Sequence, residues 1–392
     1  MSSDMRPYDT DITASRAPID TSKPDRTMED TMSSFHVRGS VRIPRDMRRG
    51  VALLCIVLAL SLVLGTVLIL CGGASMWSVK SPAPSTPSQN DEPAEPTPEN
   101  PEATYPYADG KSGTAVFPTA TDAKLIDASL MGSSHAVVVS IKKGSVVASL
   151  GADESIFPAS MTKVMTLIVV VENLPHKGSL TDTITISKDV FDRMTAEGSS
   201  GIGMEPGEQL SVESLLYALM LKSDGIAACE LARYVAGSEE AFVELMNQKA
   251  AAMGLSGTHF ENPTGLHHPR HKSTVRNIAS IMAYAMDMQL CRRILTAKTY
   301  NAPCTTGEGK QITYNLYHNL MVQQFEKTYP NQPNDLTVVA GKTGYTPESG
   351  YCLVTYARGT DGDDYVVVTT KSAKYAGCIN DYIALYNTYA KP

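Results

Sequence analysis

Residues 51–71, VALLCIVLALSLVLGTVLILC, run for 21 residues without a charged side chain. As a helix rising about 1.5 Å per residue, such a run matches the roughly 30 Å hydrocarbon core of a bilayer. No other feature constrains the chain as much, because it splits the sequence into parts that must lie on opposite sides of whatever buries it. Arg38, Arg42, Arg45, Arg48 and Arg49 precede it, and the next basic residue after it is Lys80. The positive-inside rule then predicts a single-pass membrane protein with a cytoplasmic N-terminus and everything after about residue 75 outside. A cleaved signal peptide is the rival reading. It fits less well, since some 50 residues come first and the apolar run exceeds the roughly 7–15 residues of a signal core. A lipid attached at Cys71 would want a small residue where Leu70 stands.

The flanks of this segment carry little to bury. Residues 1–50 hold 9 Lys/Arg against 8 Asp/Glu and read as a disordered cytoplasmic tail. The membrane helix is assigned to 51–73. Residues 74–113 contain eight prolines between Pro82 and Pro106, set among Ser, Thr, Glu and Asn. Proline fixes φ and removes backbone donors, so this stretch predicts an extended, semi-stiff spacer. The globular part is 114–392.

Within it, HAVVVSI (135–141) and SVVASL (145–150) read as a hairpin. A helix is expected from about Ser160 to Asn173. LSVESLLYALML (210–221) has Ser211 as N-cap, and EEAFVELMNQKAAAMG (239–254) and NIASIMAYAMDM (277–288) follow as helices. LTVVAGKTG, YCLVTYAR and DYVVVTTK read as strands, and the last segment as a helix. Strands at both ends with helices between predict an α+β fold, its sheet assembled from distant parts of the chain. The net charge of −7 argues against a nucleic-acid surface, which needs a basic patch. Five cysteines (Cys229, Cys291, Cys304, Cys352, Cys378) lie beyond the apolar run, an odd number that does not suggest a disulfide framework.

Residues 158–163, PASMTK, set a serine and a lysine three apart at the start of an apolar helix. That spacing puts Ser160 and Lys163 on one face. A hydroxyl attacks a carbonyl only if a base takes its proton, and a lysine can be that base when burial lowers its pKa. Unpaired N–H groups at the helix start suit the oxyanion that forms. Ser-x-x-Lys alone is weak: Ser140 and Lys143 repeat it at a strand end. Two further stretches add weight. Ser223 follows a helix directly in LKSDGIAACELA, and Lys342, Thr343 and Gly344 end a strand in VVAGKTGYTPESG. A strand bearing Lys-Thr-Gly offers a cation and a hydroxyl to a carboxylate, with a glycine that leaves room for a ligand.

The order Ser-x-x-Lys, Ser, Lys-Thr-Gly resembles the penicillin-recognising serine enzymes. FPASMTKVMTLIVVVE, GMEPGEQLSVESLLYALMLKSDG, the block from FVELMNQ to IMAYAM, and GKTGYTPESGYCLV together resemble the D-alanyl-D-alanine carboxypeptidases (low-molecular-mass penicillin-binding proteins), from about 120 to 390. The resemblance implies an antiparallel sheet flanked by helices, with a mostly helical subdomain and the site at their junction. It implies Ser160 as the acylated nucleophile, Lys163 as its base and Ser223 as the proton bridge between Lys163 and the leaving group. Lys342 and Thr343 would bind the terminal carboxylate of a peptidoglycan stem peptide ending in D-Ala-D-Ala, with Gly344 leaving it space. The N–H groups of Ser160 and Tyr345 would form the oxyanion hole. β-Lactams would acylate Ser160, and no metal or other cofactor is called for.

Gly225 departs from the pattern. It stands where the family usually has an asparagine whose amide binds substrate and steadies the lysine. Asp224 or a water would substitute, or turnover would be weaker, or the protein would bind without turnover. The rival readings are therefore a penicillin-binding wall sensor and a β-lactamase, the latter needing a well-placed glutamate, for which Glu244 is nearest. Asn277 likewise replaces a common aspartate. His267, His268 and His271 in LHHPRH read as ordinary histidines, and GSSGIGMEPG lacks the ending of a phosphate loop. Carboxypeptidases of this family often add a β domain and a C-terminal amphipathic anchor. With Pro392 directly after the last predicted helix, tethering is expected to fall to the N-terminal helix.

Overall fold

The computed structural model describes residues 116–176, 178–318, 336–360 and 362–390. The predicted tail, membrane helix and spacer, and the boundary at 114, lie outside the described residues. Among the described residues no helix is long and apolar enough to cross a membrane.

In chain order, β1 (Thr119–Leu125), β2 (His135–Ser140) and β3 (Ser145–Leu150) lead to α1 (Lys163–Glu172). Then come β4 (Thr183–Thr185), α2 (Lys188–Ala196), β5 (Gln209–Ser211), α3 (Val212–Leu221), α4 (Gly225–Ala236) and α5 (Glu239–Ala252). The chain continues through α6 (Val275–Asp287), α7 (Gln289–Leu295), β6 (Thr299–Thr305) and β7 (Gln311–Tyr317). It closes with β8 (Leu336–Thr346), β9 (Gly350–Gly359), β10 (Asp364–Ser372) and α8 (Tyr375–Tyr389).

The main sheet has the order β1-β3-β2-β10-β9-β8, so strands from the two ends of the globular part pair at its centre. β2 and β3 form the expected hairpin, and β10 runs antiparallel to both β2 and β9. Every residue of β2 is buried, because both faces of the sheet are covered. On one face Ala136, Val138, Leu353 and Val367 pack with Tyr382, Leu385 and Tyr386 of α8. On the other, Val137, Val139, Val354 and Val366 join α1 and α6. Alternation along a strand sends successive side chains to opposite layers, and two apolar layers give the near-continuous Val runs. Among the described residues β8 is an edge strand of this sheet.

Two expectations need correction. The helix predicted from Ser160 is a 3-10 turn over Ala159–Thr162 followed by α1. Lys-Thr-Gly lies inside β8, which runs on to Thr346, rather than at its end. Beside its helices the second lobe carries a four-stranded sheet, β4-β5-β6-β7, that the sequence did not signal. Two of those strands have three residues each, too few to show a period of two.

Candidate active site

The site starts from the composition of α1. KVMTLIVVVE is apolar on every side, so it packs as a core helix, with nine of its ten residues buried. Lys163, its first residue, is therefore buried too, at 2% exposure. Its Nζ donates to the Thr264 carbonyl at 2.6 Å and to Ser160 Oγ at 3.3 Å. Burial lowers its pKa from 10.5 to about 8, against the opposing pull of the Asp224 charge. Ser160 itself is half-buried, in the tight turn before α1. Ala159, just ahead of it, has a φ of 48°, a left-handed conformation costing roughly 1–3 kcal/mol in a non-glycine residue.

The loop that receives Lys163 is built by an asparagine. Asn262 Oδ1 accepts from the Thr264 and Gly265 N–H groups at 3.2 and 2.8 Å, and its Nδ2 donates to the Leu266 carbonyl. Gly265 has a φ of 79°, and a Cβ there would lie 2.0 Å from the Ala159 carbonyl oxygen. Only glycine allows this loop and the Ser160 turn to touch. His271 braces the turn from below, its Nε2 2.8 Å from Thr162 Oγ1. Its Nδ1 accepts from the Glu261 N–H at 3.3 Å, so Nε2 carries the proton and donates to Thr162. Burial pushes the His271 pKa down to about 3.

The facing wall is the edge strand. Lys342 is also 2% exposed, and its Nζ donates to Ser223 Oγ at 2.9 Å and to the Thr343 carbonyl at 2.8 Å. Burial, and then the charge of Lys163, lower its pKa. A Cβ on Gly344 would lie 3.0 Å from Ser160 N and from Ala159 Cβ, so the missing side chain lets β8 lie against the Ser160 turn. Thr343 is half-buried, and Tyr345 is exposed with its ring 4.5 Å from that of Tyr351.

The third wall starts where α3 ends. Ser223 has a φ of 58°. Asp224 is fully buried and caps α4, taking Ala227 N–H on one oxygen and Ile202 N–H on the other, at 2.9 and 2.7 Å. Desolvation raises its pKa, against these donors and Lys163. Gly225 opens α4 with no side chain.

Ser160, Lys163, Ser223 and Lys342 thus converge, with Thr343, Gly344 and Tyr345 on the adjoining strand and Gly225 in the adjoining helix start. Two expectations change. Ser223 bonds Lys342, whereas Lys163 bonds Ser160 and Thr264, so the groups form two pairs instead of a Lys163–Ser223 bridge. Asp224 cannot stand in for a missing amide, because its oxygens are engaged by backbone donors. Sequence reasoning missed the Thr264 carbonyl, Asn262 and His271. The turn-forming ENPTGL was the available signal for the first two. Elsewhere, Ser140 donates to Asp363 at 2.6 Å, which disposes of the second Ser-x-x-Lys as a strand-end brace. Glu244 is exposed on α5 and accepts from Gln248. His267 and His268 lie 3.7 and 3.6 Å from Glu348 and Glu261. Asn277 ties α6 to the Ser256 carbonyl and to Thr258. All five described cysteines are buried and free.

This architecture is that of solved DD-transpeptidases. A crystal structure of the Streptomyces K15 DD-transpeptidase superposes with a TM-score of 0.59 at 26% identity, covering 66% of this chain and 97% of that one. The family model described as D-alanyl-D-alanine carboxypeptidase matches residues 122–373. The chain belongs to that family. Among curated relatives, it is 32% identical over 226 residues to the D-alanyl-D-alanine carboxypeptidase DacF of Bacillus subtilis, covering 57% of this chain and 53% of DacF. It is 34% identical over 241 residues to DacC of Escherichia coli, covering 61% of this chain and 56% of DacC. The chain therefore spans about half the length of these relatives.

Proposed function

We propose that this protein is a serine-type D-alanyl-D-alanine carboxypeptidase that removes the terminal D-alanine of peptidoglycan stem peptides. The observation that carries the reading is a buried lysine with a pKa near 8, its amine 3.3 Å from a serine hydroxyl in a strained turn. Neutral Lys163 takes the Ser160 proton as Oγ attacks the carbonyl of the penultimate D-alanine. The oxyanion is met by the N–H groups of Ser160 and Tyr345, which the packing of Gly344 on Ser160 N supports. Lys342 and Thr343 bind the terminal carboxylate. Burying an unpaired ammonium is costly, so an incoming carboxylate is the natural counter-charge for Lys342. Ser223 gives its hydroxyl proton to the departing D-alanine amine and is reprotonated from the Lys163 ammonium, which returns Lys163 to the neutral form; water then hydrolyses the ester. β-Lactams enter by the same route and leave Ser160 acylated. Incubating the full-length protein with a peptide ending in D-Ala-D-Ala tests this: free D-alanine is expected, and its absence beside normal penicillin labelling would sink the enzyme reading.

That second outcome defines the other reading, a wall sensor that binds penicillin without turnover, which Gly225 alone favours. A β-lactamase draws no support from Glu244, exposed on α5. We also propose that 51–73 anchors the chain once in the membrane, with the N-terminus cytoplasmic and the spacer 74–113 carrying the catalytic unit outside. Residues 51–71 carry no charge and follow five arginines, which supports that arrangement. Extraction at alkaline pH is expected to leave the full-length chain in the membrane pellet.

A further inference from the structure

Among the described residues, those around the Ser223 turn offer no evident side chain for holding a substrate amide. Ser223 is bonded to Lys342, the Asp224 oxygens accept backbone N–H groups, and Gly225 has no side chain. Yet a peptide lying along an edge strand turns alternate backbone groups away from that strand, and these need partners on the opposite wall. The space a side chain at 225 would fill is not empty. A Cβ on Gly225 would lie 2.0 Å from Ser199 Oγ and 2.9 Å from Ser199 Cβ.

Ser199 is fixed there by its backbone neighbours. Its N–H donates to the Met194 carbonyl at 2.9 Å, and the Gly225 N–H donates to the Ser200 carbonyl at 3.0 Å. Two residues on, the Ile202 N–H donates to Asp224. Gly201 packs so closely that a Cβ on it would lie 2.9 Å from Asp224 Oδ2. The Ser199 hydroxyl, in contrast, makes one long bond, 3.3 Å to the Ser200 carbonyl, and the residue is half-buried. A hydroxyl with most of its bonding capacity unused, seated with Met194 Sδ in the space of the missing Gly225 side chain, two residues along the chain from Ser223, is placed to meet a ligand.

We propose that Ser199 is the substrate-positioning group of the helical wall. Its hydroxyl donates to the amide carbonyl of the peptide bond preceding the scissile one, and it occupies the volume that a side chain at 225 would otherwise use. This rests on the acyl-transfer reading above, and it commits to a ligand feature: the amide carbonyl on the acylamino side of the substrate. Benzylpenicillin carries such an amide, and 6-aminopenicillanic acid lacks it.

The test is the acylation rate of the full-length protein by each β-lactam, followed by mass. Ser199→Ala is expected to slow acylation by benzylpenicillin about tenfold, the worth of one neutral hydrogen bond, and to leave 6-aminopenicillanic acid unchanged. A merely structural role would slow both equally, and that result, or wild-type rates with both, overturns the proposal. The paired variants give a second reading. Gly225→Asn alone collides with Ser199 and is expected to slow benzylpenicillin, whereas Ser199→Gly combined with Gly225→Asn regains the rate. A Gly225→Asn protein that reacts as wild type would also overturn it. Wild-type protein that neither β-lactam acylates would remove the acyl-transfer reading itself and this inference with it.

Discussion

The α1 turn and the β8 edge each bury one lysine to the same 2% exposure, yet the two are not equivalent. Lys163 has the Asp224 carboxylate acting on it, a backbone carbonyl at 2.6 Å and a hydroxyl at 3.3 Å. Lys342 has a hydroxyl at 2.9 Å and a carbonyl at 2.8 Å, and the charge acting on it is that of Lys163. Both are pushed toward the neutral form by desolvation. The first is held beside a nucleophile, where a neutral amine is useful. The second stands on the edge strand of the described sheet, where the carboxylate of a ligand would bring the opposite charge. Equal burial therefore supports two chemistries, and the partners decide which.

The sharpest way to break this contrast is to remove each amine. Lys163→Ala is expected to cut the acylation rate about 10³- to 10⁴-fold, the upper range for a positioned general base. Lys342→Ala is expected to lower kcat/KM on the D-Ala-D-Ala peptide about 10- to 100-fold, mostly through KM, as one charge-assisted bond to a carboxylate is lost. Equal losses in kcat from both variants would mean that the two lysines share one role.

The pH profile sharpens it further. With Lys163 titrating near 8, the acylation rate is expected to rise about tenfold per pH unit below that value and level off above it. A rate independent of pH between 6 and 9 would show that Lys163 is not the base. Gly344→Ala probes the contact between the two regions. Its methyl would sit 3.0 Å from Ser160 N, so β8 must shift, at about 1–3 kcal/mol. Acylation is expected to fall about tenfold while the fold survives, as read by thermal unfolding.

The last effect is on stability rather than rate and concerns the support beneath Lys163. His271 is neutral in the fold, with a pKa lowered from 6.5 to about 3, so the unfolded chain binds the extra proton between those values. Stability is then present above pH 6.5 and is lost as pH falls toward 3. Between pH 7.5 and 5 the loss from this group is about 2 kcal/mol. Urea unfolding at the two pH values checks it, and His271→Gln should flatten that part of the dependence.

Most of the β8 side of the contrast was legible in the sequence. VVAGKTG reads as a strand carrying a cation, and the β-rich runs YCLVTYAR and DYVVVTTK give its neighbours. Ser160 and Lys163 were legible from spacing plus the apolar run that forces burial. What stayed hidden shares a cause. The Thr264 carbonyl is a backbone group with no residue signature. Ser199 matters through the volume missing at Gly225, which only packing reveals. Strands β4 and β5 are three residues long and carry no period. The pairing of Ser223 with Lys342 depends on a 119-residue separation closing to 2.9 Å, which spacing cannot set.

The central claim is that Ser160 is the hydroxyl that Lys163 activates. Mass analysis of the full-length protein after exposure to benzylpenicillin, for wild type and Ser160→Ala, tests it most directly. One adduct on the wild type, mapped to the peptide containing Ser160, and none on the variant is the expected result. An adduct of the same stoichiometry on Ser160→Ala would place the nucleophile elsewhere and contradict the account.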